Sequence, residues 1–284
     1  MLLCCLLLAL ARADEPRIPR MIWQTWKTHD VSGLTHLRAD ATEELAAANP
    51  GWTRSLLNDS EADEFMRAHT PPYVYETYGA LRPALGAARA DLLRYALIAH
   101  HGGAYLDLDV ACRPLDSFVR ADDGCLLSPS AYRATVGGGA LVEKFSQWAV
   151  VCERGHPAVR LALCLAVARL RARLPGAVLR PARKAHQAVL WATGPLAWSA
   201  AWDEYFKHGG SRVRVTGARY GGHCDEKGAL RDREFYLSDE LSKSDYHHAT
   251  LEGESLLLLD RLADPTIHAA PNVSLVQVAF AKWR

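Results

Sequence analysis

The sequence predicts an α/β fold, and two observations carry that prediction. One is a helix that runs straight into a strand. "GAARADLLRYALIAHH", Gly86 to His101, is followed by Gly102-Gly103 and then by the apolar run "AYLDLDV". The other is the recurrence of this alternation along the chain. Stretches of helical period and short apolar runs are separated by turn residues, the pattern of helices layered on a sheet.

Composition sets the outer limits. Of the 284 residues, 49% are apolar and 23% charged, the profile of a soluble globular chain long enough for a sizeable core. Lys and Arg number 33 against 32 Asp and Glu, so no chain-wide field draws the protein to nucleic acid. No run of like charge forms a basic arm or an acidic tail. With no internal repeat or low-complexity linker, residues 18–284 read as one domain.

The first segment, "MLLCCLLLALARADEP", is a short apolar block followed by Ala11-Arg12-Ala13, which has the form of an A-x-A cleavage site. The block is about ten residues, where a membrane span needs ~20. Residues 1–13 therefore read as a signal peptide or a residual signal anchor, although a positive n-region is missing. The implied destination is the secretory pathway or the cell exterior, with membrane association through the N-terminus left open. Beyond that segment stand Cys112, Cys125, Cys152, Cys164 and Cys224. An odd count leaves at least one thiol unpaired, and the spacing fits neither a C-x-x-C metal site nor a dense disulfide framework. Asn58-Asp59-Ser60 and Asn272-Val273-Ser274 are glycosylation sequons.

The elements follow in order. "IPRMIWQTWKT", Ile18 to Thr28, reads as a first strand and its loop. A helix around Leu37 to Ala48 is stopped by Asn49-Pro50-Gly51. "WTRSLLN" is a second strand, and "DSEADEFMRAH" a helix with a good N-cap and an acidic first turn. In the helix from Gly86, Leu92, Leu93, Ala96 and Leu97 share one face, with Asp91, Arg94 and Ile98 opposite. The glycine pair ends it, because glycine readily takes the left-handed C′ position. "GHPAVRLALCLAVARLRARL" is a long helix with Pro157 in its first turn. Arg160, Arg169, Arg171 and Arg173 mark it as packed and partly exposed, not membrane-spanning. "SRVRVTGA" is a late strand.

The paired aspartates of "AYLDLDV" carry the functional question. In one extended strand Asp107 and Asp109 project from the same face roughly 7 Å apart, with Leu106 and Leu108 turned into the core. Carboxylates at the end of a buried strand need a cation or strong donors. A divalent metal with oxygen ligands, Mn²⁺ or Mg²⁺, meets that need. The plainer reading is a strand that has reached the surface, with both aspartates solvated or salt-bridged. Two chemistries use the local pattern. One is metal-dependent sugar transfer. The other is the haloacid-dehalogenase-like phosphatase, whose D-x-D-x-[TV] supplies a nucleophile and an acid. The phosphatase also needs a downstream lysine and an acidic pair at a strand end; Lys184 and Asp225-Glu226 exist, but neither sits in such a context.

The longer pattern resembles glycosyltransferase family 32, which includes outer-chain and inositol-phosphoceramide mannosyltransferases. "IPRMIWQTWKT" looks like that family's opening strand, "NPGWTRSLLNDSEADEFM" is similar to its second block, and "ARADLLRYALIAHHGGAYLDLDVACRPLD" is close to its signature. "ATGP", Ala192 to Pro195, resembles a weaker later motif. The resemblance implies a GT-A (Rossmann-like) fold and a metal-dependent, retaining transfer of a hexose. It implies a nucleotide-sugar donor, GDP-mannose first and a UDP-hexose behind it, a glycan or glycolipid acceptor that is a second route to membrane association, and a place in the Golgi lumen. It carries roles onto matching residues. Asp107 and Asp109 hold the metal and the nucleotide sugar, Asp91 and Arg94 contact donor sugar or diphosphate, and Trp26 stacks on the base. Trp23 stands where the family more often has histidine. A histidine pair near the end of the domain also resembles the family. In "SDYHHAT" it is His247-His248, although "HHATLEGESL" departs from the usual continuation. Neighbouring residues of an extended loop point opposite ways, so at most one of the two binds the metal or diphosphate directly, and His247 is favoured over His248. The ordinary reading of that pair is two exposed loop histidines. The phosphatase and an inactive, secreted carbohydrate-binding protein on the same scaffold are the alternatives to the transferase.

Overall fold

A computed structural model describes residues 16–31, 41–82, 85–108, 110–112, 114–127, 129–136, 140–173, 188–215, 217–221 and 234–238. In chain order the elements are β1 (Met21–Thr25), α1 (Ala41–Ala48), β2 (Thr53–Leu57), α2 (Asp59–His69), α3 (Pro72–Gly79), α4 (Gly86–His101), β3 (Gly103–Leu106) and β4 (Val110–Cys112). They continue with β5 (Cys125–Leu127), β6 (Pro129–Val136), β7 (Ala140–Phe145), β8 (Ala149–Cys152), α5 (Pro157–Arg173), α6 (Pro195–Lys207), β9 (Val213–Val215), β10 (Gly217–Gly221) and β11 (Glu234–Ser238). The main sheet has the order β2-β1-β3-β8-β5-β9. Strands β2, β1 and β3 are parallel, β8 runs antiparallel between β3 and β5, and β9 is parallel to β5. A second sheet, β10-β11-β4, and the β6–β7 hairpin lie apart from it.

Strand alternation divides the core in two. Trp23, Tyr105, Val150 and Cys152 face α2 to α6, with Phe65, Leu92, Leu97, Leu163 and Trp198. Ile22, Ala104, Leu106, Ala149 and Val151 face the other way, against Leu45 of α1 and Trp52. A sheet with helices on both faces is the α/β architecture the sequence predicts.

Local chemistry fixes the ends of the elements. The cap of α2 is Asn58, one residue before the expected start. Its Oδ1 accepts from the N–H of Ser60 and Glu61, and Glu61 Oε2 accepts from the Asn58 N–H, a complete capping box. Helix α4 stops where Gly102 takes φ 73°, and Gly103 follows at φ 97°. A Cβ on Gly103 would lie 2.6 Å from the Met21 carbonyl oxygen, so the residue that starts β3 must be glycine for β1 to lie beside it.

Two expectations change. "AYLDLDV" is not one strand. β3 ends at Leu106, and the Val110 N–H bonds back to the Asp107 carbonyl at 3.1 Å. The chain then enters β4, which pairs with β11 in the second sheet. Asp107 therefore sits where the chain leaves the main sheet for the second one, and alternation along a single strand does not set its direction. An apolar run reads the same whether continuous or folded at its polar residues. The second change concerns α4, which has no solvent face over its second half. Asp91 through Ala99 are all buried, because the sheet covers one side and α2 and α5 the other.

Cys125 and Cys152 are directly opposed across β5 and β8 and form a disulfide, and Cys164 is a buried free thiol. No helix among the described residues is long and apolar enough to cross a membrane. Residues 1–13 and Cys224 lie outside the described residues.

Candidate active site

The parallel strands place the site. β1, β2 and β3 end at one edge of the sheet, at Thr25, Leu57 and Leu106. From β1 the chain passes over α1 on one face to reach β2. From β2 it returns through α2, α3 and α4 on the other face and enters β3 on the far side of β1. The order reverses at the β1–β3 boundary, and in open α/β sheets the crevice beyond the carboxyl ends at such a point is where ligands bind. Trp26 follows β1 and Asp107 follows β3, so two of the expected site residues flank this crevice.

Asp107 is held by a closed polar network. Its N–H donates to the Trp148 carbonyl at 2.9 Å. Arg94 Nη2 lies 3.2 Å from Asp107 Oδ1 and 3.4 Å from Asp91 Oδ1. Arg94 Nη1 donates to the Gln147 carbonyl at 2.6 Å, and its guanidinium stacks on Tyr105 with 4.6 Å to the ring centre. Asp91 accepts from Gln147 Nε2 at 3.0 Å and from Thr193 Oγ1 at 2.7 Å. The Thr193 carbonyl in turn accepts from the Tyr95 hydroxyl at 2.8 Å. Asp91 and Arg94 are 3% and 5% exposed, whereas the Asp107 side chain is 32% exposed.

Electrostatics follow from that burial. Loss of water alone would lower the Arg94 pKa, but Asp107, then Tyr105 and Asp91, outweigh it and hold the guanidinium firmly charged. Tyr105 is pushed well above the usual phenol range, first by burial. It therefore stays neutral and can donate to Asp107, with which it is hydrogen-bonded. The result is one carboxylate fixed at the mouth of the crevice, its support buried behind it.

The structure thus brings Asp91, Arg94 and Asp107 together and puts Trp26 on the same edge, half-buried, with its N–H bonded to the Leu57 carbonyl at 3.0 Å. Asp109, His247, His248, Lys184, Asp225 and Glu226 lie outside the described residues. Gln147, Thr193 and Tyr105 are additions. Thr193 falls inside the "ATGP" segment, which signals its place but not its partner. Gln147 has no signal in its neighbourhood, since it meets Asp91 across 56 positions. Among the described residues no group of three or more His, Cys, Asp or Glu side chains could hold a metal. Asp107 offers a hard carboxylate oxygen of the kind Mn²⁺ and Mg²⁺ prefer, in a partly open position.

The segment that holds the Asp91–Arg94 pair and Asp107 also matches a known family. Residues 35–121, which span β2, α4 and the turn, match the family described as "Glycosyltransferase sugar-binding region containing DXD motif". Residues 35–121 thus carry the sugar-binding region of these DXD glycosyltransferases, the family to which the resemblance pointed. Among its relatives it is 29% identical over 192 residues to inositol phosphoceramide mannosyltransferase 3 of Schizosaccharomyces pombe, covering 67% of this chain and 46% of that protein. It is 34% identical over 111 residues to inositol phosphoceramide mannosyltransferase 2 of the same organism, covering 38% of this chain and 30% of the relative. The chain thus spans less than half the length of these two relatives. Among solved structures it is similar to the PaToxG glycosyltransferase, with a TM-score of 0.46, 16% identity, and 68% and 70% of the two chains covered.

Proposed function

We propose that the protein is a metal-dependent, retaining glycosyltransferase of GT-A fold. It moves a hexose, mannose first, from a nucleotide sugar to a glycan or glycolipid acceptor in the secretory pathway. The observation that carries the reading is Asp107, a carboxylate fixed by Arg94 at the carboxyl-edge crevice, inside the segment that matches the DXD sugar-binding family. The same match supports reading "LDLDV" as a sugar-transfer motif in preference to the phosphatase. The fungal relatives are named as mannosyltransferases, which supports mannose as the sugar and a phosphoinositol lipid as one acceptor class.

Breaking the sugar–diphosphate bond leaves negative charge on the nucleoside diphosphate. A bound Mn²⁺ or Mg²⁺ would supply Lewis-acid stabilisation of that charge, with Asp107, Asp109 and His247 as its protein ligands. The chain's own residues do the rest. Arg94 places its charge behind Asp107, fixes the carboxylate's rotamer, and spares it reorganisation during the reaction. Asp91, Gln147 and Thr193 keep Arg94 from turning away. Trp26, half-buried just after β1, is the residue that stacks on the base in this reading.

The test is a panel of GDP-mannose, UDP-galactose and UDP-hexosamines with Mn²⁺, read as nucleoside diphosphate release with and without acceptor. GDP release that depends on Mn²⁺ and rises with acceptor is expected. Trp26→Ala should weaken nucleotide binding by ~1–3 kcal/mol if ring–base stacking here matches that in nucleic-acid complexes. A folded wild-type protein that releases no nucleoside diphosphate from any donor would reject the reading.

A further inference from the structure

Gln24 lies one residue from the carboxyl edge of β1, and the Arg54 side chain reaches it from near the start of β2; neither takes part in the Asp107 network. Gln24 is in β1, and Arg54 is the second residue of β2, in register with Ile22. Gln24 pairs instead with Leu56, two residues further towards the carboxyl edge. Yet Arg54 Nε donates to Gln24 Oε1 at 2.6 Å. The arginine side chain is therefore laid along the strands towards the crevice, over a strand rise of ~6.6 Å. Ile22 belongs to the core beneath α1, with Ala104 and Leu106, and alternation puts Gln24 on that face as well. Asp107 is held from the other face, by α4. The two groups thus approach one crevice from opposite sides.

What this pair lacks is an acceptor. Among the described residues Arg54 makes no ion pair and no hydrogen bond besides the one to Gln24. Gln24 is 0% exposed, and its Nε2 has no partner. Burial lowers the Arg54 pKa from the usual guanidinium value, and no carboxylate opposes the shift. Arg94, by contrast, has two carboxylates within 3.4 Å. Holding a half-desolvated cation with a neutral amide orients it without cancelling its charge. That arrangement suits a site whose counter-ion arrives with the ligand.

We infer that Arg54 binds a phosphate group of the substrate at the β1–β3 crevice, and that Gln24 is the positioning residue that aims it. This rests on the glycosyltransferase reading, which supplies two sources of phosphate, the donor's diphosphate and a phosphate-bearing acceptor. The crevice beyond β1 and β3 favours the donor. Arginine is the fitting residue because its planar fork can engage two phosphate oxygens at once.

The test is calorimetric titration of GDP and UDP with Mn²⁺, of guanosine and uridine, and of inositol 1-phosphate. Arg54→Gln is expected to weaken the nucleoside diphosphates roughly tenfold or more, the scale of one charge-assisted contact, and to leave the nucleosides unchanged. Arg54→Lys keeps charge and bulk, recovers part of the loss, and still reads the lost fork contact if the glutamine variant unfolds. Gln24→Leu should weaken diphosphate binding less than Arg54→Gln and add nothing in the Arg54→Gln background. A purely structural role for Gln24 would give additive losses. A loss confined to inositol 1-phosphate would assign the phosphate to the acceptor. Wild-type affinity for every phosphate probe in folded Arg54→Gln overturns this inference alone. A wild-type protein that binds none of the probes overturns it together with the glycosyltransferase reading.

Discussion

Helix α4 handles titratable groups in opposite ways at its two ends. In its first half Asp91 and Arg94 are buried as charges and paired, with Asp107, Gln147 and Thr193 completing the set. In its last turn His100 and His101 are stacked among rings. His100 lies 4.4 Å from His69 and 4.6 Å from His101, and His101 lies 5.0 Å from Trp23, measured between ring centres. A helix C-terminus ordinarily favours a protonated histidine, by ~0.3–1 kcal/mol. Here burial comes first, and the neighbouring histidines and Arg154 add to it. His100 is lowered, and His101 is lowered to about 4. One end keeps its charge by pairing it, and the other stays packed by remaining neutral. The paired end sits beneath Asp107, where it fixes that carboxylate. The neutral end sits at the opposite edge of the sheet, where it closes the core behind the Gly102-Gly103 turn.

The sharpest way to break this contrast is at Arg94. Arg94→Met should lower unfolding free energy by about 3–5 kcal/mol, because it leaves Asp91 buried without its counter-charge. Chemical denaturation reads the change directly. Adding Asp91→Leu should return part of the loss, since an apolar pair of similar volume replaces the ions. A single-variant cost below ~1 kcal/mol would mean that the three charges are not a unit.

Acid should act on the other end. The folded pKa of His101, and to a smaller degree of His100, lies below the unfolded value of ~6.5. Above that value both states are neutral, and the stability is fully present. As pH falls from about 6.5 towards 4 the unfolded chain takes up protons that the folded one refuses, so the contribution of this pair declines across that window; His156, which burial lowers to about 3, adds to the fall and carries it to lower pH. His101→Phe keeps a ring on Trp23 and should flatten the slope, as judged from denaturation midpoints at a series of pH values. An unchanged slope would show that another group carries the acid sensitivity.

The contrast also shows what a sequence can reveal. The alternation of helix and strand, the glycine stop after His101 and the Asp91–Arg94 spacing are local properties, and all three are visible in "GAARADLLRYALIAHHGG". The fold in "AYLDLDV" is not, because its cause is the pairing of β4 with a strand more than a hundred residues later. Nor is the role of Gln147 or Thr193, each defined by one long-range bond to a buried carboxylate. Helix α3 was hidden by its two prolines, although Pro72 takes the first helical position, where proline is tolerated. The equal burial of all sides of α4 has the same origin, since it depends on what α2 and α5 bring to it.

The smallest expected change in stability belongs to the residue on which the proposed function most depends. Asp107→Asn removes one charge from Arg94 but leaves Asp91 in place, and the side chain it alters is a third exposed to water. Solvent can compensate much of that loss, so the unfolding free energy should move by no more than ~1 kcal/mol. Nucleoside diphosphate release should nevertheless fall to background, because asparagine keeps the shape of aspartate but lacks the anionic oxygen that a divalent cation needs. The two measurements have to be made on one preparation. Lost turnover with a native-like midpoint separates a working carboxylate from a structural one. Wild-type turnover in the folded variant would leave Asp107 as a mere partner of Arg94 and remove the metal from the proposal.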